Sequence, residues 1–287
     1  MGLLQGVTEL FPVSSLGHSV LVPALLGWHT LVNSQSASES FFLAFIVGLH
    51  VRTALELVEF YRATWLRLFR GLGRQLAGTR ERGVASLTRL NDAGTDPEYR
   101  LLVLLVVATI PVGLTGVVFE HKFRVLFAKP LAAAIFLTIN GVILLVGERL
   151  RRGRGRHEAG RRLATLSPVA AFAIGCSQIL ALFAGISRAG ASMVAGLAGG
   201  LDHEDSANFS FLLATPVILA AGALKIPDLF GSLGDGVRYQ TLVGAVCAAV
   251  AAYVAVRYLV RYFTTRTLTP FGVYSLVAGL ACVVRFA

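Results

Sequence analysis

Seven long apolar runs punctuate the chain, at about 41–61, 101–119, 130–148, 168–200, 207–226, 239–260 and 268–286. Most are near the roughly 20 residues that carry a helix across a bilayer. The short alternating segments of a membrane β-barrel do not occur, so the pattern predicts helices throughout. The opening stretch, MGLLQGVTELFPVSSLGHSVLVPALLGW, departs from this pattern. It is apolar, yet it holds Gln5, Glu9, Ser14, Ser15 and His18 and is broken by Pro12 and Gly17. Pro12 removes a backbone donor and turns Val13 away from the helical region. The stretch has a carboxylate in its middle and no Lys or Arg, so it is not a secretory leader. It reads as a broken helical segment carrying polar groups.

Composition sharpens the class. Hydrophobic residues make up 55% of 287 positions and charged ones 15%, with a mean hydropathy of +0.70, outside the balance of a soluble domain. The chain is a single integral membrane domain. The net charge of +10 does not point to nucleic acid, because no basic and aromatic residues interleave as a binding platform. Arginines gather instead in 62–100, 149–162 and 257–266, the signature of loops retained in the cytoplasm. The 62–100 stretch reads as a connector, in part without regular structure. Cys176, Cys247 and Cys282 lie inside apolar runs without paired spacing and read as small buried hydrophobes.

The broken segment recurs. At a constant offset of 173 positions, Gln5, Ser14, Gly17, Ser19 and Gly27 meet Gln178, Ser187, Gly190, Ser192 and Gly200. At an offset of 170, Ser40, Phe41, Leu43, Ala44 and Val47 meet Ser210, Phe211, Leu213, Ala214 and Val217. Two copies of one unit are expected: repeat one over 1–148, an Arg-rich cytoplasmic connector over 149–162, and repeat two over 163–287. Each unit has one re-entrant hairpin and three spans, an odd number of crossings, so the second copy inserts upside down. The expected fold is all-α, with two inverted-topology repeats, six transmembrane helices and two re-entrant helical hairpins. Both termini and the loop at 29–40 then lie outside, and the loop at 201–209 inside. Inverted repeats place their sites where interrupted helices meet near the midplane, and broken backbone is tolerated there only if packed in protein or lining a wet cavity.

The two hairpins would pool Glu9, Ser15 and His18 with Ser187, Arg188 and Ser192. A buried membrane arginine marks function by default, and guanidinium is well shaped to hold phosphate. Amides at Gly185 and Gly190 would add donors to an oxyanion clamp. Ser15 and His18 stand three apart, a spacing that puts nucleophile and base on one helix face. Glu9 has several roles open to it: orienting His18, acting as a base, holding a divalent cation such as magnesium or calcium, or simply pairing with Arg188. Ser14, Ser187 and Ser192 either bind substrate or cap the broken helices. His50, Arg52 and Glu56 form a second polar set within one span, equally open to a structural or a catalytic reading; Arg52 and Glu56, four apart, can pair.

These residues also carry a family resemblance. QGVTELFPVSSLGH, 5–18, resembles the (E/Q)GxTEFLPVSSxGH signature of the undecaprenyl-diphosphate phosphatases, the bacitracin-resistance family. GISRAGASM, 185–193, resembles the second signature, PGxSRSGAT, and SFLLATP, 210–216, the SFLLAxP that follows it. The resemblance implies a multi-pass enzyme of the bacterial plasma membrane that removes the terminal phosphate of undecaprenyl diphosphate, a polyprenyl lipid, for peptidoglycan synthesis, with its site open to the periplasm. It implies catalytic roles for Glu9, Ser15, His18 and Arg188, with Gln5, Ser14, Ser187, Gly190 and Ser192 around the substrate. Gln5 stands where some members have Glu, and Ala184 and Ala189 replace a usual Pro and Ser. Relative to the family the start is short, as if truncated. A polyprenyl-phosphate transporter or flippase is the competing reading of inverted repeats.

Overall fold

The computed structural model describes residues 1–28, 41–92, 94–127, 129–153, 163–230 and 238–287, and the described residues are helical with no strand. Among the described residues there are eleven α-helices: α1 Gly2–Leu10, α2 Ser15–Leu25, α3 Phe41–Phe60, α4 Arg62–Arg82, α5 Pro97–Phe127, α6 Pro130–Gly153, α7 Pro168–Ser177, α8 Arg188–Ala198, α9 His203–Phe230, α10 Arg238–Phe263 and α11 Thr269–Phe286. Stretches of α5, α6, α9, α10 and α11 are long and apolar enough to cross a membrane. The sixth predicted span, α3, has 20 residues and carries Arg52, Glu56 and Glu59. The protein is a polytopic helical membrane protein.

The predicted connector at 62–100 is instead largely structured. Tyr61 interrupts the chain for one residue and α4 then runs for 21. Its Arg74 bonds Asp96 at 2.6 Å, and the other oxygen of Asp96 accepts from the amides of Glu98 and Tyr99, capping α5 where Pro97 opens it. The Arg74 guanidinium, with help from these amides, holds the Asp96 carboxyl below the usual carboxylate range. Arginine content made this region look like a solvated loop; its apolar positions, among them buried Leu68, dock the helix on α5. Of the 149–162 connector, 149–153 extends α6; the rest, like the loop at 29–40, lies outside the described residues.

In lipid, burial from water does not drive helices together, and close packing through small residues does. That is visible at both broken segments. A Cβ on Gly2 of α1 would stand 2.3 Å from the Gly244 carbonyl of α10, and one on Gly175 of α7 2.3 Å from the Ala108 carbonyl of α5. Gly2 and Gly175 are mates at the 173 offset. The hairpins also touch each other reciprocally: a Cβ on Gly17 would meet Gly185 at 2.8 Å, and one on Gly190 would meet Pro12 at 3.3 Å. Around this contact α6 packs along α11 and α3 along α9, with Phe209, Phe211, Phe263, Leu57 and Leu104 fully buried among them.

Candidate active site

Two chain breaks meet at one point. Helix α1 stops at Leu10 ahead of Pro12, and the chain turns through Ser14, whose φ of 71° is the only positive value at a non-glycine among the described residues. Such a conformation costs about 1 kcal/mol or more and persists only when its surroundings enforce it. Here the Ser14 hydroxyl accepts from the Gly17 amide at 3.1 Å and, across the hairpins, from the Gly185 amide at 3.2 Å. Ser187 repeats the cap on α8 by accepting from the Gly190 amide at 3.1 Å. Asn140 of α6 joins the two turns, donating to the Pro12 carbonyl at 3.0 Å and accepting from the Ser187 amide at 2.9 Å.

Glu9, in the last turn of α1, sits at the centre. One oxygen accepts from the Arg188 guanidinium. The other accepts from the Ser15 hydroxyl, from the Gln5 amide at 2.9 Å and from His50 Nε2 at 3.0 Å. His50 Nδ1 faces the Ile46 carbonyl at 2.8 Å. Both partners of His50 only accept, so the ring donates from both nitrogens, the bonding pattern of an imidazolium. Among the described residues Glu9 is the one bond partner of the Arg188 side chain, and Arg188, Ser15, Glu9 and His50 line a cavity of about 320 Å³. Its lining includes the first residues of α2 and α8, Ser15 and Leu16 of one and Arg188 of the other. Helix N-termini bring positive partial charge and favour anions.

His18 is placed otherwise than its spacing from Ser15 suggests. Nδ1 donates to the Ser14 carbonyl at 2.7 Å, and Nε2 accepts from the Tyr274 hydroxyl at 2.8 Å. Both ring nitrogens are thereby engaged, and the Ser15 proton points to Glu9. His50, from the second polar set, supplies the imidazole at the carboxylate. Its Arg52 and Glu56 pair along α3 at 3.4 Å, as their spacing predicts. The amides of Gly185 and Gly190, expected as phosphate donors, are occupied by the caps at Ser14 and Ser187. Ser14 and Ser187 still line the cavity. Gln5 is fully buried behind Glu9, and Ser192 bonds the Arg188 and Ala189 carbonyls and the Ser210 hydroxyl. Sequence reasoning passed over Asn140 and Tyr274, although an asparagine inside the 130–148 apolar run was a visible signal.

The residues present do not fit a resident divalent cation. Hard cations take several oxygen ligands, and this site offers one carboxylate whose oxygens already accept from four side chains. Among the described residues no three acidic, histidine or cysteine side chains cluster as ligands.

Fold and site together define a polytopic membrane protein whose buried polar centre is built from two broken helical segments. A family profile described as bacitracin resistance protein BacA matches residues 1–281, and the chain belongs to that family. It is similar to undecaprenyl-diphosphatase 2 of Frankia alni, 48% identical over 343 residues that cover 100% of this chain and 96% of the relative. The undecaprenyl-diphosphatase of Mycolicibacterium paratuberculosis is 50% identical over 304 residues, 100% of this chain and 95% of the relative. A Burkholderia lata protein named undecaprenyl-diphosphatase 2 is 43% identical over 283 residues, 98% and 93% of the two chains.

Proposed function

We propose that this chain hydrolyses undecaprenyl diphosphate to undecaprenyl phosphate and inorganic phosphate, which returns the lipid carrier to cell-wall synthesis and confers bacitracin resistance. Family membership and the names of the relatives support the activity. The observation that carries the mechanism is the contact of the Ser15 hydroxyl with Glu9 beside Arg188 in one cavity.

The diphosphate lies against the Arg188 guanidinium and the N-terminal ends of α2 and α8. Ser15 Oγ attacks the terminal phosphorus as its proton passes to Glu9; the bridging P–O bond breaks and undecaprenyl phosphate leaves. Water then attacks the phosphoserine, Ser15 regains a proton, and inorganic phosphate departs. Charge on the transferring phosphoryl oxygens is the main load in such a step, and a fixed guanidinium carries it. His50 keeps Glu9 in place, and His18 with Tyr274 braces the strained turn at Ser14. A magnesium or calcium ion belongs to the substrate in this reading, chelated by the diphosphate.

Phosphate release from undecaprenyl diphosphate by the purified protein in detergent tests the reading, since no transport is possible there. Release that disappears in Ser15→Ala supports it. Absence of release would favour the transporter, a reading that the relatives' names do not support.

The inverted arrangement and an outward-facing cavity belong to the same proposal. The reciprocal contacts of Gly17 with Gly185 and Gly190 with Pro12 support a two-fold relation between the halves. Ser206 is buried and so is unsuited to labelling, whereas Trp28 and Glu204 are exposed. In a background lacking Cys176, Cys247 and Cys282, Trp28→Cys should react with an impermeant thiol reagent on intact cells and Glu204→Cys should not. Labelling of both from outside would remove the inversion.

A further inference from the structure

Helix α6 runs against both broken turns. A Cβ on Gly185 would stand 2.4 Å from the Ala133 carbonyl oxygen and 2.6 Å from the Leu137 nitrogen, so the second turn lies directly on the helix backbone. One turn further along α6, Asn140 is fully buried. Its Nδ2 donates to the Pro12 carbonyl at 3.0 Å and to the Ser275 hydroxyl at 3.2 Å, and its Oδ1 accepts from the Ser187 amide at 2.9 Å. Pro12 stands three residues before Ser15, and Ser187 immediately before Arg188. One planar amide therefore spans from the segment that carries the hydroxyl to the segment that carries the guanidinium. Asn140 is itself held in place, because α6 and α11 pack in close contact: a Cβ on Gly141 would meet the Leu276 nitrogen at 2.5 Å, and one on Gly279 the Thr138 nitrogen at 2.5 Å.

We propose that Asn140 is a positioning residue for phosphoryl transfer: it sets the separation of the Ser15 hydroxyl and the Arg188 guanidinium by holding the turns that carry them on α6. The assignment rests on the phosphatase reading above. Attack by Ser15 requires the phosphorus to sit in line with the hydroxyl while Arg188 holds its oxygens, and a displacement of about 1 Å is enough to cost on the order of 100-fold in rate. The Ser14 hydroxyl links the same turns through the Gly185 amide at 3.2 Å, but Ser14 moves with the first turn, whereas Asn140 supplies a reference outside both. The task needs a donor and an acceptor on one rigid group, which a carboxamide has and a carboxylate or an aliphatic side chain lacks.

With undecaprenyl diphosphate, Asn140→Leu should lower kcat about 30-fold. In an Arg188→Ala background the same substitution should cost no more than about threefold, because a group that acts by placing Arg188 against Ser15 loses its effect once Arg188 is gone. A role in stability alone would reduce the folded fraction, and with it kcat, by one factor in both backgrounds, so equal losses would overturn the proposal. Asn140→Asp keeps the size and the acceptor for Ser187 but has no amide to give Pro12; it should show the same pair of losses, and it carries the test if the leucine variant does not fold. Gln75 is the comparison. It is a buried amide of the same kind, donating to the Ser86 carbonyl and accepting from the Asp96 amide, each at 3.1 Å, on α4 and outside the cavity lining. Gln75→Leu should keep the wild-type kcat. A loss there matching that of Asn140→Leu would show that breaking any buried bridge suffices and would overturn the assignment, as would wild-type turnover in Asn140→Leu. Phosphate release by wild type is the separate arm that tests the activity; without it that reading falls, and this one with it.

Discussion

Two carboxylates among the described residues are buried against a histidine and an arginine, and Glu9 is the one that lines the polar cavity. Glu9 accepts from Arg188, His50, Gln5 and Ser15 and lines the polar cavity with three of those partners. Glu148, near the end of α6, accepts from His203 Nε2 at 2.8 Å, from Arg152 at 3.4 Å and from the Leu268 amide at 3.3 Å. The guanidinium of Arg151 faces His203 Nδ1 at 3.3 Å. Guanidinium only donates, so that nitrogen faces a donor, unlike Nδ1 of His50, which faces a carbonyl. Glu148 therefore ties together the ends of α6 and α9 and the segment before α11. Its partners include a backbone amide and no hydroxyl. Residue types alone would rank the two clusters together; the difference lies in Ser15, in the adjoining helix N-termini and in the space left for a ligand.

The largest expected effect separates the clusters at the nucleophile and the clamp. Ser15→Ala and Arg188→Ala should each lower kcat by about 100-fold or more, on the scale of removed proton transfer or charge stabilisation, with normal insertion and yield. Arg188→Lys should recover only part of the loss, because ammonium keeps the charge without the planar fork. Full recovery in Lys would reduce Arg188 to diffuse charge.

Next come the carboxylates themselves. Glu9→Gln should lower kcat by about 100-fold, since an amide cannot take the Ser15 proton. Glu148→Gln should leave turnover near wild type while destabilising the fold by about 1–3 kcal/mol, the scale of a disrupted buried hydrogen-bond set. Thermal melts beside initial rates decide this. The comparison fails if Glu148→Gln is the more inactive of the two.

A smaller effect is expected at the histidines. His50→Ala should cost about tenfold in kcat, at the low end of positioned proton chemistry, and His50→Gln should recover much of it by restoring a donor to Glu9. An imidazole can change charge near neutral pH and an amide cannot, so the Gln variant should also lose one limb of the pH–rate profile. Changes at His203 should leave that profile unmoved. An unaltered profile in His50→Gln would reduce its role to that of a hydrogen-bond donor that does not titrate.

The smallest effect concerns a third carboxylate–arginine pair, Asp96 with Arg74, at the start of α5. Asp96→Ala should leave activity intact and cost about 1 kcal/mol, the usual worth of a helix cap. Because the folded-state carboxyl is held below its ordinary value, its contribution is complete above that ordinary value and fades as pH falls through the lowered one. Wild type and variant should therefore differ at neutral pH and converge in strong acid. A difference that grew on acidification would contradict the assignment.

Much of the fold was legible because membrane spans are long and apolar, and because proline and glycine mark broken segments locally. The predicted runs at 130–148 and 239–260 fall inside α6 and α10, the run at 268–286 starts one residue before α11, and the duplicated motif pointed to both hairpins. Helix α4 was missed because its arginines outweigh its apolar positions in any average over composition, while the contacts that order it are with α5. At the site, Glu9, Ser15 and Arg188 stood out as polar groups in apolar surroundings. The partner of Ser15 did not, since three-residue spacing shows which side chains share a helix face and not which acceptor a hydroxyl finds across the bundle.

The sequence by itself determined that this is a helical membrane protein with a polar centre rich in hydroxyl, carboxylate and guanidinium groups, because those properties follow from hydropathy, helix length and residue chemistry read position by position. Only the tertiary structure decided that His50 and not His18 meets Glu9, and that the Gly185 and Gly190 amides close caps. Each of these depends on which helices lie side by side, and the close approaches that choose those neighbours, Gly2 on Gly244 and Gly17 on Gly185, join residues far apart in sequence through shape alone.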